Sequence, residues 1–307
     1  MSAYVGRFAP SPTGPLHFGS LVAAVASWLD ARAACGRWLV RIEDVDTPRT
    51  VAGASDAILS TLEALGLTWD GAVLRQGART ARYAEALETL RRAGQLFRCD
   101  CSRREVADSA LRGPEGAVYA GRCLADRDIF TREPHPRMTS CAVRFAVAAG
   151  EVSFDDRVQG RITQDVAREI GDFVLRRRDG LFAYQLAVVV DDAEQGVTDV
   201  VRGADLLGST ARQIALQRAL GYASPRYLHF PVVVDRAGDK LSKQTRALPV
   251  DASRGPEAIA AALRCLGQPA VESREPAAML REAAAQWSVE RIPRAATAPL
   301  PDNGRDA

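Results

Sequence analysis

A short strand-like run at residues 4–8 passes directly into Ala9-Pro10-Ser11-Pro12-Thr13-Gly14-Pro15, and a helical pattern over about 19–34 follows at once. The prolines stiffen the loop and Gly14 lets the backbone turn tightly. Leu21, Val25, Trp28 and Leu29 share one helix face, and Gly36 stands past its end. Residues 38–43 form a second apolar strand with the charged exit Glu43-Asp44-Val45-Asp46, and helices are expected at about 51–65 and 79–93. Strand, rigid turn, helix, strand is the opening of an α/β, doubly wound, Rossmann-type domain with a parallel sheet. Ligands of such folds sit beyond the carboxyl ends of the strands.

The chain has 307 residues, enough for one large domain with a smaller insertion. Hydrophobic residues make up 47% and charged residues 25%, which excludes a collagen-like or wholly disordered chain. Between 97 and 158 the alternation gives way to a cysteine-bearing segment, a loop rich in Gly and Pro, and strand-like runs at 141–147 and 152–158. This reads as an α+β insertion dividing a catalytic domain into 1–96 and 159–250. Strands are expected at 172–177, 182–191, 197–201 and 227–235, with a helix at 205–220. A helical C-terminal part at 251–292 holds amphipathic helices near 255–266 and 276–286, and the proline-bearing tail 293–307 is expected to be mobile. The longest mostly apolar run, 16–29, is too short and too interrupted to span a bilayer. No secretory signal is read, so the cytoplasm is the expected location. A net charge of +2 neither demands nor excludes a nucleic-acid partner.

His17 and Gly19 fall at the start of the first helix, where free N–H groups favour an anion, and Gly19 has no side chain to keep a flat nucleotide away. Far downstream, Lys240-Leu241-Ser242-Lys243-Gln244 offers two mobile cations that could wrap a polyphosphate. Cys99, Cys101 and Cys123 lie within 25 residues. Residues two apart on an extended segment face the same way, so Cys99 and Cys101 can reach one ion, with Cys123 as a third thiolate. Chemistry alone leaves Asp100, His135 and Tyr119 open as the fourth ligand.

Together, Arg7 to Gly14 followed by His17-Phe18-Gly19-Ser20, with Lys240-Leu241-Ser242-Lys243 downstream, resemble the His-Ile-Gly-His and Lys-Met-Ser-Lys-Ser signatures of class I aminoacyl-tRNA synthetases. Ala9 and Ser11 stand where the glutaminyl branch shows proline and glutamate, so the chain looks like the glutamyl branch. It departs from the signatures at Ser20, Leu241 and Gln244.

The resemblance implies a ligase that activates L-glutamate with ATP to glutamyl-adenylate, releasing pyrophosphate, with Mg²⁺ on the phosphates. His17, Gly19, Lys240 and Lys243 would act in catalysis, and His17, Gly19, Ser20 and Lys243 would bind ATP. Glutamate carries two carboxylates and one ammonium. Arg7 and Arg202 are the candidate forks for the carboxylates. Glu43 is the candidate partner of the ammonium, with Ser11 assisting at the amino end, and Tyr184 could donate its hydroxyl to a carboxylate. The resemblance also favours Tyr119 as fourth ligand of a structural zinc beside Cys99, Cys101 and Cys123. After Gln244 too few residues remain for an anticodon-binding domain. The chain therefore looks like a stand-alone, monomeric paralogue of the glutamyl catalytic domain. Such a paralogue esterifies glutamate to the queuosine base at the wobble position of tRNA(Asp), taking the anticodon stem-loop as substrate. The competing expectations are a minimal glutamyl-tRNA synthetase charging a tRNA 3′ end, a nucleotidyltransferase, and a non-catalytic RNA-binding regulatory paralogue.

Overall fold

The structure, a computed structural model, describes residues 3–107, 112–113, 116–124, 141–234 and 249–300. The chain begins with β1 (Val5–Phe8), the proline-rich turn, α1 (Phe18–Ala33) and β2 (Arg37–Ile42). β1 and β2 pair in parallel from Val5↔Arg37 to Phe8↔Val40. Gly36 makes the return possible, because a Cβ there would lie 2.6 Å from the Tyr4 carbonyl oxygen. α2 (Ala54–Ala64), β3 (Leu74–Arg75) and α3 (Thr80–Arg92) follow, and β3 extends the parallel sheet beside β2.

β4 (Leu96–Cys99) opens the cysteine-bearing segment, which holds the short α4 (Arg103–Ala107) and the hairpin β5 (Arg112–Gly113) and β6 (Gly116–Ala117). β7 (Ala142–Phe145) pairs antiparallel with β4. β8 (Glu151–Asp156) and β9 (Gly160–Asp165) form a hairpin, and α5 (Val166–Glu169) leads to β10 (Phe173–Arg176). Strands on either side of residue 158 pair across it. β10 joins β7 and β4 in one antiparallel sheet, while β8 and β9 attach to a catalytic strand described next. Composition marks where a pattern changes but carries no information about which distant strand becomes a neighbour.

Of residues 182–191, expected as a strand, 184–191 belong instead to the helix α6 (Tyr184–Glu194). Seven consecutive residues, Leu186 through Asp192, are buried. A continuous apolar run reads alike as a buried strand or a helix buried on every side, and the three valines at 188–190 tilted the expectation to a strand. β11 (Asp199–Gly203), α7 (Leu207–Leu220) and β12 (Arg226–Phe230) complete a second parallel unit. Its sheet runs β11-β12-β8-β9. Thr198 N donates to Val5 O at 2.9 Å, which sets β11 beside β1 at the start of both strands.

β13 (Val232–Val234), α8 (Gly255–Cys265), α9 (Pro276–Ala285) and β14 (Thr297–Pro299) finish the described chain. β14 pairs in parallel with β13, from Val232↔Thr297 to Val234↔Pro299. The first part of the tail expected to be mobile is therefore held by a ladder, and residues 301–307 lie outside the described residues. The main core packs α1 between the sheet and the helices α8 and α9. At its edge, buried Asp30 accepts from the Tyr4 hydroxyl at 2.5 Å, from Arg157 Nη1 and Nη2 at 2.6 and 2.9 Å, and from Trp287 Nε1 at 2.9 Å.

Candidate active site

A cleft of about 860 Å³ opens where β1 and β11 end. This is the switch point of the doubly wound sheet, where strand order reverses and ligands characteristically bind. Arg7, Ser11, His17, Gly19, Ser20, Glu43, Tyr184 and Arg202 all line it. Eight residues singled out from sequence, spread over almost two hundred positions, thus share one cavity. Lys240 and Lys243 lie outside the described residues. The described chain on either side of them borders the same cleft: Val233 lines it, Pro249 bridges to His17, and Val250 N donates to Leu16 O at 2.8 Å.

His17 is the N-cap of α1, and its Nδ1 accepts from Ser20 N at 3.4 Å. The imidazole therefore satisfies one donor of the first turn while lining the cleft. At the exit of β1, the Arg7 guanidinium is not an unoccupied fork. Its Nε and Nη2 donate to the two carboxylate oxygens of Asp192, at 3.1 and 3.4 Å, leaving the Nη1 side for a ligand. Arg41, fully buried on β2, donates through Nη1 to the same Asp192 at 2.7 Å and through Nη2 to Glu43 at 3.4 Å. Burial alone would raise the Asp192 carboxyl, but Arg41 and Arg7 hold it below the usual carboxylate range. For Glu43 burial prevails and the carboxyl is raised, although Arg41 and Arg7 pull the other way. An arriving ammonium would favour the ionised form of Glu43.

Arg202 is only 5% exposed, which excludes a surface ion pair with Asp205 as its role. It donates to His229 Nε2 at 3.0 Å, Gln213 Oε1 at 2.9 Å, Thr210 Oγ1 at 2.9 Å and the Tyr184 hydroxyl at 3.5 Å. These partners are all neutral, because burial depresses the His229 imidazole to about 4. Among the described residues, no anion hydrogen-bonds this buried guanidinium to offset its desolvation. Asp192, Arg41, His229, Gln213 and Thr210 escaped the sequence reading. The sequence signal available for them was a polar or charged residue inside an apolar run, as with His229 in β12 and Asp192 at the end of the valine run.

The cysteines form a second centre. The Sγ atoms of Cys99, Cys101 and Cys123 lie within 4.8 Å of one another, and those of Cys101 and Cys123 are 3.6 Å apart. The Tyr119 hydroxyl is 4.0 Å from Cys101 Sγ and accepts from Cys123 N at 2.7 Å. Arg144 covers the Tyr119 ring, its guanidinium carbon 4.1 Å from the centroid. Asp100 turns elsewhere and accepts from the Cys141 thiol at 2.6 Å. His135 lies outside the described residues. The donor set fits a metal ion, with Tyr119 at hand to complete it.

Residues 4–290 match the family described as class I tRNA synthetases (E and Q), catalytic domain. A glutamyl-Q tRNA(Asp) synthetase from Dechloromonas aromatica is 54% identical, over 98% of this chain and 99% of the relative. One from Aromatoleum aromaticum is 55% identical, over 97% and 93%. The chain belongs to the glutamyl-Q tRNA(Asp) synthetase family. Among solved structures, a glutamate tRNA ligase from Elizabethkingia meningosepticum in complex with its amino acid superposes with a TM-score of 0.78 at 23% identity, covering 99% of this chain and 68% of the ligase. That likeness carries the fold. Membership of this family agrees with the α/β class I architecture and with a ligase-type enzyme, as the sequence implied. Among the described residues, no helix is long and apolar enough to cross a membrane.

Proposed function

We propose that this chain activates L-glutamate with ATP, without tRNA, and transfers the glutamyl group to the queuosine base at the wobble position of tRNA(Asp). The observation that carries the reading is Arg202, a buried guanidinium whose described hydrogen-bond partners are neutral, sharing one cleft with Arg7, Glu43 and Tyr184. Two cations and one anion match the two carboxylates and one ammonium of glutamate. Arg202 and the Tyr184 hydroxyl hold one carboxylate, the Nη1 side of Arg7 reaches the other, and Glu43 with Ser11 takes the amino end. A carboxamide in place of the carboxylate on a buried arginine costs roughly 3–5 kcal/mol, enough to reject glutamine by a few hundredfold or more.

The reacting atoms need no protein nucleophile. An oxygen of the α-carboxylate attacks the α-phosphorus of ATP, and the bond from that phosphorus to pyrophosphate breaks. Positioning and charge stabilisation supply the catalysis. His17, Gly19 and Ser20 at the start of α1 receive the nucleotide. Lys240 and Lys243 stabilise the phosphate oxygens, a role supported by the flanking residues Val233 and Pro249 at the cleft. Mg²⁺, when bound with ATP, neutralises phosphate charge. A queuosine hydroxyl then takes the acyl group from the adenylate, the anticodon stem-loop entering a monomeric enzyme.

The cysteine centre fits structural Zn²⁺, held by Cys99, Cys101, Cys123 and Tyr119. Tetrahedral Zn–S bonds of about 2.3 Å place sulfurs about 3.8 Å apart, close to the 3.6 Å between Cys101 and Cys123.

The test is transfer of labelled glutamate, with ATP, to tRNA from queuosine-containing cells and from cells lacking queuosine. Label confined to the queuosine-containing pool is expected. Equal labelling of both would indicate charging of the 3′ end. No label in either, together with no glutamate-dependent pyrophosphate exchange, would leave a non-catalytic RNA-binding protein.

A further inference from the structure

Arg202 is gripped from behind by three residues that lie outside the cleft lining, His229, Thr210 and Gln213. Its Nε donates to His229 Nε2 at 3.0 Å, so that nitrogen carries no proton. Thr210 Oγ1, which accepts from Arg202 Nη2, lies 3.2 Å from the same nitrogen. The imidazole proton therefore sits on Nδ1, 2.6 Å from Asp156 Oδ2. The other Asp156 oxygen accepts three backbone N–H groups, from Val158 at 3.0 Å, Gln159 at 2.8 Å and His229 at 3.2 Å. Both side chains are fully buried.

A guanidinium has five hydrogens in a fixed plane. His229 takes the one on Nε, Gln213 one on Nη1 and Thr210 one on Nη2. Among the described residues, one hydrogen on each Nη atom has no acceptor apart from the long 3.5 Å contact to Tyr184. Two parallel N–H groups are the edge that clasps a carboxylate in two hydrogen bonds.

We infer that Asp156 and His229 are positioning residues that set the selectivity of the cleft for a carboxylate over a carboxamide. Asp156 fixes the imidazole with its proton on Nδ1, and the bare Nε2 rotates Arg202 so that its Nη1–Nη2 edge meets the ligand. This inference rests on the glutamate reading for its ligand, but not for its geometry. The competing role is a staple between β8 and β12, which otherwise meet in the register pair Tyr227↔Asp156.

Asp156→Asn separates the two roles. Three backbone donors claim one side-chain oxygen, so the amide must turn its NH₂ toward His229. The imidazole must then accept at Nδ1 and carry its proton on Nε2, donor against donor with Arg202. The volume hardly changes, and a hydrogen bond still joins the two strands.

Nitrogen-15 spectra of the full chain, which has three histidines, read the tautomer directly and need no substrate. Expected are Nδ1–H for His229 in the parent and Nε2–H in Asp156→Asn; the same tautomer in both overturns the inference. In glutamate-dependent pyrophosphate exchange, Asp156→Asn should raise the KM for glutamate at least 10-fold. It should narrow the glutamate-to-glutamine preference by a similar factor and leave the KM for ATP within 2-fold. His229→Gln, whose amide can accept from Arg202 and donate to Asp156, should keep most of the preference, while His229→Leu loses it. Equal behaviour of those two variants, or a joint rise of both KM values with a lowered Tm, establishes the staple instead. Absence of exchange in the parent would count against glutamate activation, and the tautomer would still decide the pair.

Discussion

Arg7 and Asp192 meet side by side, Nε to Oδ1 at 3.1 Å and Nη2 to Oδ2 at 3.4 Å, although 185 residues separate them. Arg41 shares the same carboxylate. One anion therefore holds two buried cations. Asp192→Ala should lower the unfolding free energy by about 3–5 kcal/mol, because it strands Arg7 and leaves Arg41 with only Glu43 and Gln195. Urea denaturation of parent and variant measures this. A change under about 1 kcal/mol would show that the triad contributes little.

Glu43 provides a pH signature. Its carboxyl is raised by burial, and its protonated form cannot pair with an ammonium. The kcat/KM for glutamate should therefore rise with pH through a value above the ordinary carboxylate range and then level off. Glu43→Gln should flatten that limb and lower kcat/KM on the order of 100-fold or more. A limb that persists in Glu43→Gln would assign it to another group.

His229 provides a second, in stability rather than activity. Unfolded, its imidazole titrates at 6.5; folded, burial depresses it to about 4. Between those values the unfolded chain takes the extra proton, so stability is full above about pH 6.5 and declines as the pH falls toward 4. The gap corresponds to about 3 kcal/mol. Across that window the parent should lose that much more unfolding free energy than His229→Gln, measured by denaturation at a series of pH values.

At the cysteine centre, Cys101→Ser should release the bound metal and destabilise the β4–β7–β10 sheet beside it. Asp100→Ala should keep the metal, since Asp100 faces Cys141. Metal analysis of both proteins checks the pair of outcomes; unchanged zinc in Cys101→Ser would remove it from the ligand set.

Truncation before Ala296 should weaken ATP binding as well as stability. Ala296 O accepts from Val232 N at 2.9 Å, and Leu300 N donates to Val234 O at 2.9 Å. Without that ladder, Val232 and Val233, which line the cleft, lose their neighbouring strand. Nucleotide titration of the shortened chain makes the comparison.

The opening of the fold was legible because each part of it is a local decision. The prolines around Ser11, the face carrying Leu21, Val25 and Trp28, and the turn at Gly36 depend on neighbours within a few residues. The cleft residues were legible through motifs that happen to lie on strand ends and at the start of α1. What sequence concealed was partnership at long range. Asp192 directly follows the run 182–191 expected as a strand, and nothing near it in the chain points to Arg7 or Arg41. The strand pairing across residue 158 was concealed for the same reason, since β8 meets β12 some seventy residues later. Helix α6 was hidden by burial on all sides, which erases the periodicity that identifies a helix.

The carboxylate of Asp30 also bears on how the chain is made. Its donors are Tyr4, Arg157 and Trp287, at separations of 26, 127 and 257 residues. At about 5–20 residues per second, the last of them leaves the ribosome roughly 13–51 s after Asp30 itself. During synthesis the first strand and helix can form from local contacts, yet this buried acid has just one of its three partners until the middle of the chain appears. Closing loops of that length is slow, and native contacts this distant are characteristic of slow folders. The first strand and helix of the protein therefore cannot reach their final packing until Trp287 has been translated.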